Sequence, residues 1–309
     1  MIKLDDITPI VISYYRPKRL EACLNTLKNC KNIFVWDNNT TGDDLEEIKK
    51  IDKSMLNVTF NYSTENVGCP EAYNKSIIES KTDWVLLTVD DMIFDDDWFE
   101  ILNDILNEKP HLEQIYLNTF NCMVFHKKTI ARMGWFDERY RHYPSAEDDD
   151  WYLRTVDILG YSTYAGFPDH LSFPDEYKRN VTQDDFEELL DRDDNFTYFC
   201  NLDHSKYKII GGSTNTGGED DAGSRNTPDG SLEKNKGETG VEFHHRKWEF
   251  IHNIDPLKAV SEALLSKDSR VWKRKLTDID FYPEVRLDYI LKYFGEEVYD
   301  DFIKGENND

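Results

Sequence analysis

The five cysteines of this chain, Cys23, Cys30, Cys69, Cys122 and Cys200, have neither metal-binding nor redox spacing. An odd set of scattered thiols fits a reducing, cytoplasmic setting better than a disulfide scaffold. No stretch of about 18 apolar residues occurs, so no transmembrane helix is expected. The opening "MIKLDDITPIVIS" has acids before a short apolar run, not a basic segment before a long one, so no signal peptide is expected. Basic residues are outnumbered, 37 against 61 acids, giving a net charge of −24. That charge favours solubility and disfavours generic binding to nucleic acid or anionic membrane. Neither G-x-G-x-x-G after the first strand nor G-x-x-x-x-G-K-[ST] anywhere is present. The usual dinucleotide and P-loop phosphate cradles are therefore excluded. A bound diphosphate would need side chains and a metal to neutralise it. Glycine is scarce, 15 in 309 residues, and eight of those fall in 211–240.

What is present is an aromatic-rich chain, 13% Phe, Trp and Tyr, long enough for one large domain and an appendage. Its first half alternates. "TPIVISYY", "NIFVWD", "NVTFNYS" and "DWVLLTVD" read as strands. "RPKRLEACLNTLKNC", "DDLEEIKKI", "CPEAYNKSIIESK" and "DDDWFEILNDILNEK" read as the helices that follow them. Pro17 stands near a helix start, with Leu20, Cys23, Leu24 and Leu27 on one face. Such repetition implies parallel strands covered on both faces. "QIYLN" and "CMVFHK" read as two further strands, "SAEDDDWYLRTVDILG" as a helix ended by Gly160, and "YSTYAG" as a short strand. Residues 206–240 are expected to be a glycine-rich loop or lid. The remaining 241–309 hold two helical stretches, near 255–267 and 284–304.

Ligands of open α/β sheets bind beyond the C-terminal strand ends. Those ends here carry Ser13-Tyr14-Tyr15-Arg16, Asp37-Asn38-Asn39, Glu65-Asn66-Val67-Gly68 and Asp90-Asp91. Aromatic rings there can stack on a base, a carboxylate can accept from a base N–H, and paired acids can hold a divalent ion.

The segments "PIVISYYRP", "VWDNNTTGD", "ENVGCPEAYNKSI", "LLTVDDM" and "GWFDERY…EDDDWYLR" occur in the order seen in family-two glycosyltransferases. Over roughly residues 7–175 the chain resembles that family. The resemblance implies an α/β GT-A (nucleotide-diphospho-sugar transferase) fold, a Rossmann-like mixed sheet with helices on both faces. A small helical C-terminal region would follow. Residues 1–205 would form the catalytic domain, and 241–309 would complete or flank the active site. The resemblance also implies a nucleotide-sugar donor, UDP-linked by preference, a Mn2+ or Mg2+ ion, and inversion at the anomeric carbon. Position by position, it gives Tyr14 packing on the base with Ser13 beside it, and Asp37 pairing with the base. Asn66, Gly68, Ala72 and Asn74 fall in an N-x-G-x-x-x-A-x-N segment. Asp90 and Asp91 occupy the acidic metal motif, and Asp148 matches the catalytic base, flanked by Glu147, Asp149 and Asp150 on the acceptor side. A histidine completing the metal site would be His170, with His245 as the alternative. The chain departs from the family at Met92, often a third acid, and at Tyr73, often an Arg. The phosphate contact is then either missing or supplied by Arg16. Lys247-Trp248 resembles a C-terminal segment of some relatives without a role attached.

Each candidate has a plainer reading beside it. Asp90-Asp91 could cap a helix, but Asp95, Asp96 and Asp97 stand nearer the next one, and acids at a buried strand end are costly without a cation. Asp37 could form an Asx-turn, and Asn66 and Gly68 could merely shape a turn. Tyr14 could be core, and His170 a surface histidine. Glu147–Asp150 suit a helix's first turn, worth about 0.3–1 kcal/mol per exposed acid. Four adjacent acids repel, however, which raises a carboxyl pKa toward that of a general base. The expected function is transfer of a sugar to a hydroxyl acceptor, by default a glycan, with nucleic acid disfavoured as a partner. Alternatives are a retaining enzyme, a DNA-base glycosyltransferase, a nucleotidyltransferase, and a non-catalytic nucleotide-sugar-binding module.

Overall fold

The structure, a computed structural model, describes residues 2–117, 122–142, 147–148, 150–151, 154–155, 197–199, 212–213, 247 and 281–306. Its centre is a seven-stranded mixed sheet. Four parallel strands, β1 (Ile7–Ser13), β2 (Ile33–Asp37), β3 (Val58–Tyr62) and β4 (Trp84–Val89), stand in the order β3-β2-β1-β4. Beyond β4 the sheet continues, past the two-residue β5 (Met92–Ile93) in the chain, with β7 (Cys122–His126), β6 (Gln114–Tyr116) and β8 (Thr197–Phe199). β7 runs antiparallel to both β4 and β6, so the sheet is mixed. β1 is buried at all seven positions, as a strand covered on both faces must be.

The helices divide between the faces. One apolar cluster joins Val11 and Leu86 of the sheet to α1 (Pro17–Thr26), α2 (Gly42–Ser54) and α4 (Trp98–Glu108) through Leu20, Leu24, Ile48, Leu102 and Ile105. The other joins Ile10, Ile12, Leu87 and Phe125 to α3 (Gly68–Glu79), to α5 (Lys128–Met133) and to Trp151. The expected strands and helices of the first half are all present, and Leu20, Cys23, Leu24 and Leu27 are buried together.

The C-terminal helical stretch near 284–304 is two helices, α6 (Pro283–Phe294) and α7 (Glu296–Glu306). They part at Gly295, whose φ of 84° is open to glycine and strained for other residues. α6 lies along α5. Buried Arg286 donates to the carbonyls of Ala131 (3.3 Å) and Arg132 (3.1 Å), which the end of α5 leaves without helical partners. The expected helix near 255–267, the strand "YSTYAG", Gly160 and nearly all of the glycine-rich stretch lie outside the described residues. Of that stretch, β9 (Gly212–Ser213) is described, and it pairs antiparallel with β5 just after Asp91. Among the described residues no helix is long and apolar enough to cross a membrane.

Candidate active site

The chain leaves β1 toward β2 and β3, then returns to place β4 on β1's other side. This reversal makes the C-terminal ends of β1 and β4 a topological switch point, where a crevice opens. Ser13, the last residue of β1, donates from Oγ to Asp90 Oδ2 at 2.9 Å, and the Tyr14 N–H donates to the same oxygen at 3.2 Å. The other oxygen faces the Arg16 guanidinium at 3.5 Å. Asp91 lies 3.5 Å from Arg16 and 3.7 Å from Arg19, on the first turn of α1. Burial dominates the electrostatics of Asp90. It pushes the carboxyl up to about 6, against the pull of Arg16, Ser13 and the Tyr14 N–H, and Asp91 adds repulsion. A carboxylate held in this way gains from a second cation.

Around this centre the loops are tightly shaped. Tyr15 has φ 55° and Asn39 φ 72°, a conformation that non-glycine residues rarely adopt. Tyr15 is held there by a bond from its N–H to Thr40 Oγ1 (3.0 Å), and its ring meets Tyr14 edge-on at 4.6 Å. Asp37 is buried and turned back on its own loop, accepting from the Thr40 N–H at 3.1 Å and from the Thr40 hydroxyl. Burial raises its pKa, and the two Thr40 bonds oppose the shift. The Asx-type turn is therefore present at Asp37. Asn66 Oδ1 accepts from Asn38 (2.8 Å) and from the Gly68 N–H (3.0 Å), and Gly68 has φ 78°. These residues build the entry to α3.

Six residues on, Asn74 is fully buried and bridges both ways to Phe136. It donates to that residue's carbonyl at 2.9 Å and accepts from its N–H at 3.0 Å. The N-x-G-x-x-x-A-x-N segment thus clamps "GWFDE" to α3. Tyr73 is buried against Phe136, with ring centroids 5.5 Å apart, as a core residue.

The acidic run divides. Glu147, Asp148, Asp150, Trp151, Arg154 and Thr155 are helical. Glu147 and Asp148 are partly exposed. Burial pushes the nearby Cys69 thiol up to about 12, assisted by the charges of Glu147, Asp90 and Asp148, with Arg16 opposing. The charges of four candidates from three separate parts of the chain therefore all act on one side chain at the start of α3. Asp150 points elsewhere, and its expected place on the acceptor side is corrected. It is wholly buried, paired with Arg154 (2.8 and 3.1 Å) and with the Lys247 ammonium, because a carboxylate in the core needs cationic partners. Trp151 stacks on Phe136 at 3.9 Å and donates from its indole to Gln114 at 3.1 Å, anchoring the helix.

Asp149, His170 and His245 lie outside the described residues. Among the described residues no group of three or more His, Cys, Asp or Glu gathers as a metal-binding cluster. Asp90 and Asp91 nevertheless suit a hard divalent ion, with oxygen donors and a carboxyl kept out of its ordinary range by burial. Sequence reasoning missed Arg19, Cys69 and Thr40, and noted Lys247 without giving it a role. Its local signals were the resemblance of Lys247-Trp248 to a segment of some relatives and its place in the aromatic run "VEFHHRKWEFI".

Residues 8–156 match the profile of the family described as Glycosyl transferase family 2. That is the family whose motif order the five segments resemble. No curated protein matches the chain. Among solved structures, the chain is similar to a mannosyltransferase from Pyrobaculum calidifontis in complex with GDP-Man and Mn2+. Identity is 16% and the TM-score 0.42, over 50% of this chain and 53% of that one. It is also similar to S. aureus TarS 1-349 in complex with UDP-GlcNAc, at 16% identity and TM-score 0.40, over 48% and 53% of the two chains. The chain therefore spans about half the length of these structures.

Proposed function

We propose that the protein transfers a sugar from a nucleotide-diphosphate donor, UDP-linked by preference, to a hydroxyl acceptor, by default a glycan. The observation that carries this reading is that Arg16 faces buried Asp90 at 3.5 Å, while the charges of Asp90, Arg16, Glu147 and Asp148 all act on Cys69. That convergence supports a reading in which Asp90 and Arg16 handle the diphosphate and a second pair of carboxylates handles the acceptor. Tyr14 and Ser13 line the donor side with Asp37, Asn66 and Gly68, and Arg16 meets the diphosphate. Asp90 and Asp91, with a histidine such as His170, would hold Mn2+ or Mg2+. When bound, that ion supplies positive charge to the diphosphate and so makes it a better leaving group.

Asp148 removes the proton of the acceptor hydroxyl. The acceptor oxygen then bonds to the anomeric carbon as the bond to the phosphate oxygen breaks. The nucleoside diphosphate leaves with the electron pair, and one displacement inverts the carbon. Glu147 and Asp149 orient the acceptor. Residues 1–205 form the catalytic domain in this reading. In the same reading 206–240 act as a glycine-rich loop or lid, of which the described Gly212–Ser213 pair with β5 just after the acid pair, and 241–309 complete or flank the site.

The test is a thermal-shift panel of UDP-glucose, UDP-N-acetylglucosamine and GDP-mannose with and without Mn2+, followed by nucleoside-diphosphate release from each. Stabilisation that depends on Mn2+, with release abolished in Asp148→Asn, supports the reading. Binding without release by the wild type makes the protein a binding module, and full release by Asp148→Asn removes the mechanism. Retained anomeric configuration in the product would replace the single displacement.

A further inference from the structure

Lys247 is the one described residue between 214 and 280, and it is 0% exposed. Its ammonium donates to Asp137 Oδ2 at 2.7 Å and to Asp150 Oδ1. These partners lie 110 and 97 residues away in sequence. Each acid has a second cation. Asp150 is shared with Arg154, whose guanidinium also donates to the carbonyls of Met133 (3.2 Å) and Trp135 (2.8 Å). Asp137 is shared with Arg139 at 2.7 and 2.9 Å. Burial pulls the Lys247 ammonium down from its usual range, and Asp150 and Asp137 oppose that shift.

The placement is specific. Asp137 follows Phe136, which Asn74 clamps to α3, and α3 begins at Gly68 and Cys69 beside the acid cluster. Asp150 sits two residues after Asp148 on the same helix. Two residues on an α-helix are about 200° apart around the axis. Holding Asp150 inward therefore turns Asp148 to the opposite side, where its charge reaches Cys69 and Tyr73. Arg154 alone ties Asp150 to its own helix and to the 133–135 backbone. Lys247 adds the link to Asp137, and with it the C-terminal part of the chain.

We propose that Lys247 is a positioning residue for the sugar-transfer step: by bridging Asp137 and Asp150 it fixes the rotation of the acidic helix and so aims Asp148 at the acceptor. The proposal rests on the functional reading above. A lysine suits the role because its ammonium has three donors on a stem long enough to reach both carboxylates from a separate segment.

The experiment compares wild type, Lys247→Met, Lys247→Arg and Asp150→Asn, each as the full chain, with the donor of the panel above that gives the fastest release. Lys247→Met should lower kcat at least tenfold while donor Kd, by titration calorimetry, stays within about twofold. Lys247→Arg should recover at least half of wild-type kcat, because it restores a buried cation between the acids. Asp150→Asn keeps the volume but replaces one acceptor oxygen with a donor, so it removes the acceptor of Lys247 or Arg154; it should also lower kcat about tenfold, and serves if Lys247→Met does not fold. Wild-type kcat in a folded Lys247→Met or Asp150→Asn overturns the proposal, as does an equal loss of kcat and donor affinity. Asp148→Asn run in parallel separates the two ideas. Loss in Asp148→Asn with none in the Lys247 variants defeats the positioning role alone. Full turnover in Asp148→Asn, or no turnover of any donor by wild type, defeats the functional reading and this role with it.

Discussion

Two pairs of neighbouring acids, Asp90-Asp91 at the end of β4 and Asp148 and Asp150 on the acidic helix, put the same side chain to opposite uses. Asp90 and Asp150 are both buried. Asp150 has two cationic partners at close range, the Arg154 guanidinium and the Lys247 ammonium, and is part of the core's own charge balance. Asp90 has one guanidinium at 3.5 Å, a hydroxyl and a backbone N–H, and its carboxyl stays near 6. The first is satisfied by the fold. The second is left in need of positive charge, which is the condition of a group that meets a ligand. Burial alone therefore does not distinguish an acid balanced within the core from one still short of positive charge; the completeness of its partners does.

The largest test of that contrast concerns Asp148. Asp148→Asn should lower transfer by about 10²–10⁴-fold, the usual range for a general base, with donor affinity kept. Steady-state kinetics with calorimetry reads both, and a small effect would move the base elsewhere in the cluster. Next is Asp150→Ala, which leaves Arg154 and Lys247 buried with one acid fewer. Breaking a buried pair in this way costs about 3–5 kcal/mol, visible in urea unfolding. A loss under about 1 kcal/mol would mean that the network is not holding the helix.

Asp90 should respond with the opposite sign. Its folded pKa of about 6 lies above the ordinary 3.8. Between those values the folded chain keeps a proton that the unfolded chain has lost, so stability falls as pH rises from about 4 to 6. The penalty at neutral pH is at most about 3 kcal/mol. Asp90→Asn in metal-free, donor-free protein should therefore raise Tm at pH 7.5 and flatten that pH dependence, while ending transfer. A wild-type slope in the variant would place the penalty on another group. The smallest effect belongs to the exposed pair Lys49–Glu46 at 2.9 Å, where Lys49→Ala should change stability by less than about 0.5 kcal/mol.

The long elements of the first half were legible because each is an apolar run or a helical face of ordinary length. β5, β8 and β9 were not, since two or three residues show no period. The six-residue α5 was missed for the same reason. The stretch 284–304 read as one helix because its apolar period continues across the break at Gly295. At the site, adjacency made Asp90 and Asp91 conspicuous, and the five motifs led to Asp148. By its composition the run "EDDDWYLR" gave no means of telling which of Asp148 and Asp150 is buried, because three identical aspartates after Glu147 carry no mark of the inward face.

By itself, the sequence determined the alternation of strands and helices, the polar strand ends, and the absence of a glycine phosphate cradle, because these depend on local composition and period. The tertiary structure alone decided which carboxylates share a site and which join the core. That choice depends on partners far away in the chain: Ser13 and Arg16 for Asp90, and Lys247 for Asp150. A buried charge is governed by what the fold brings within about 3 Å of it, and that distance has no counterpart in the order of residues.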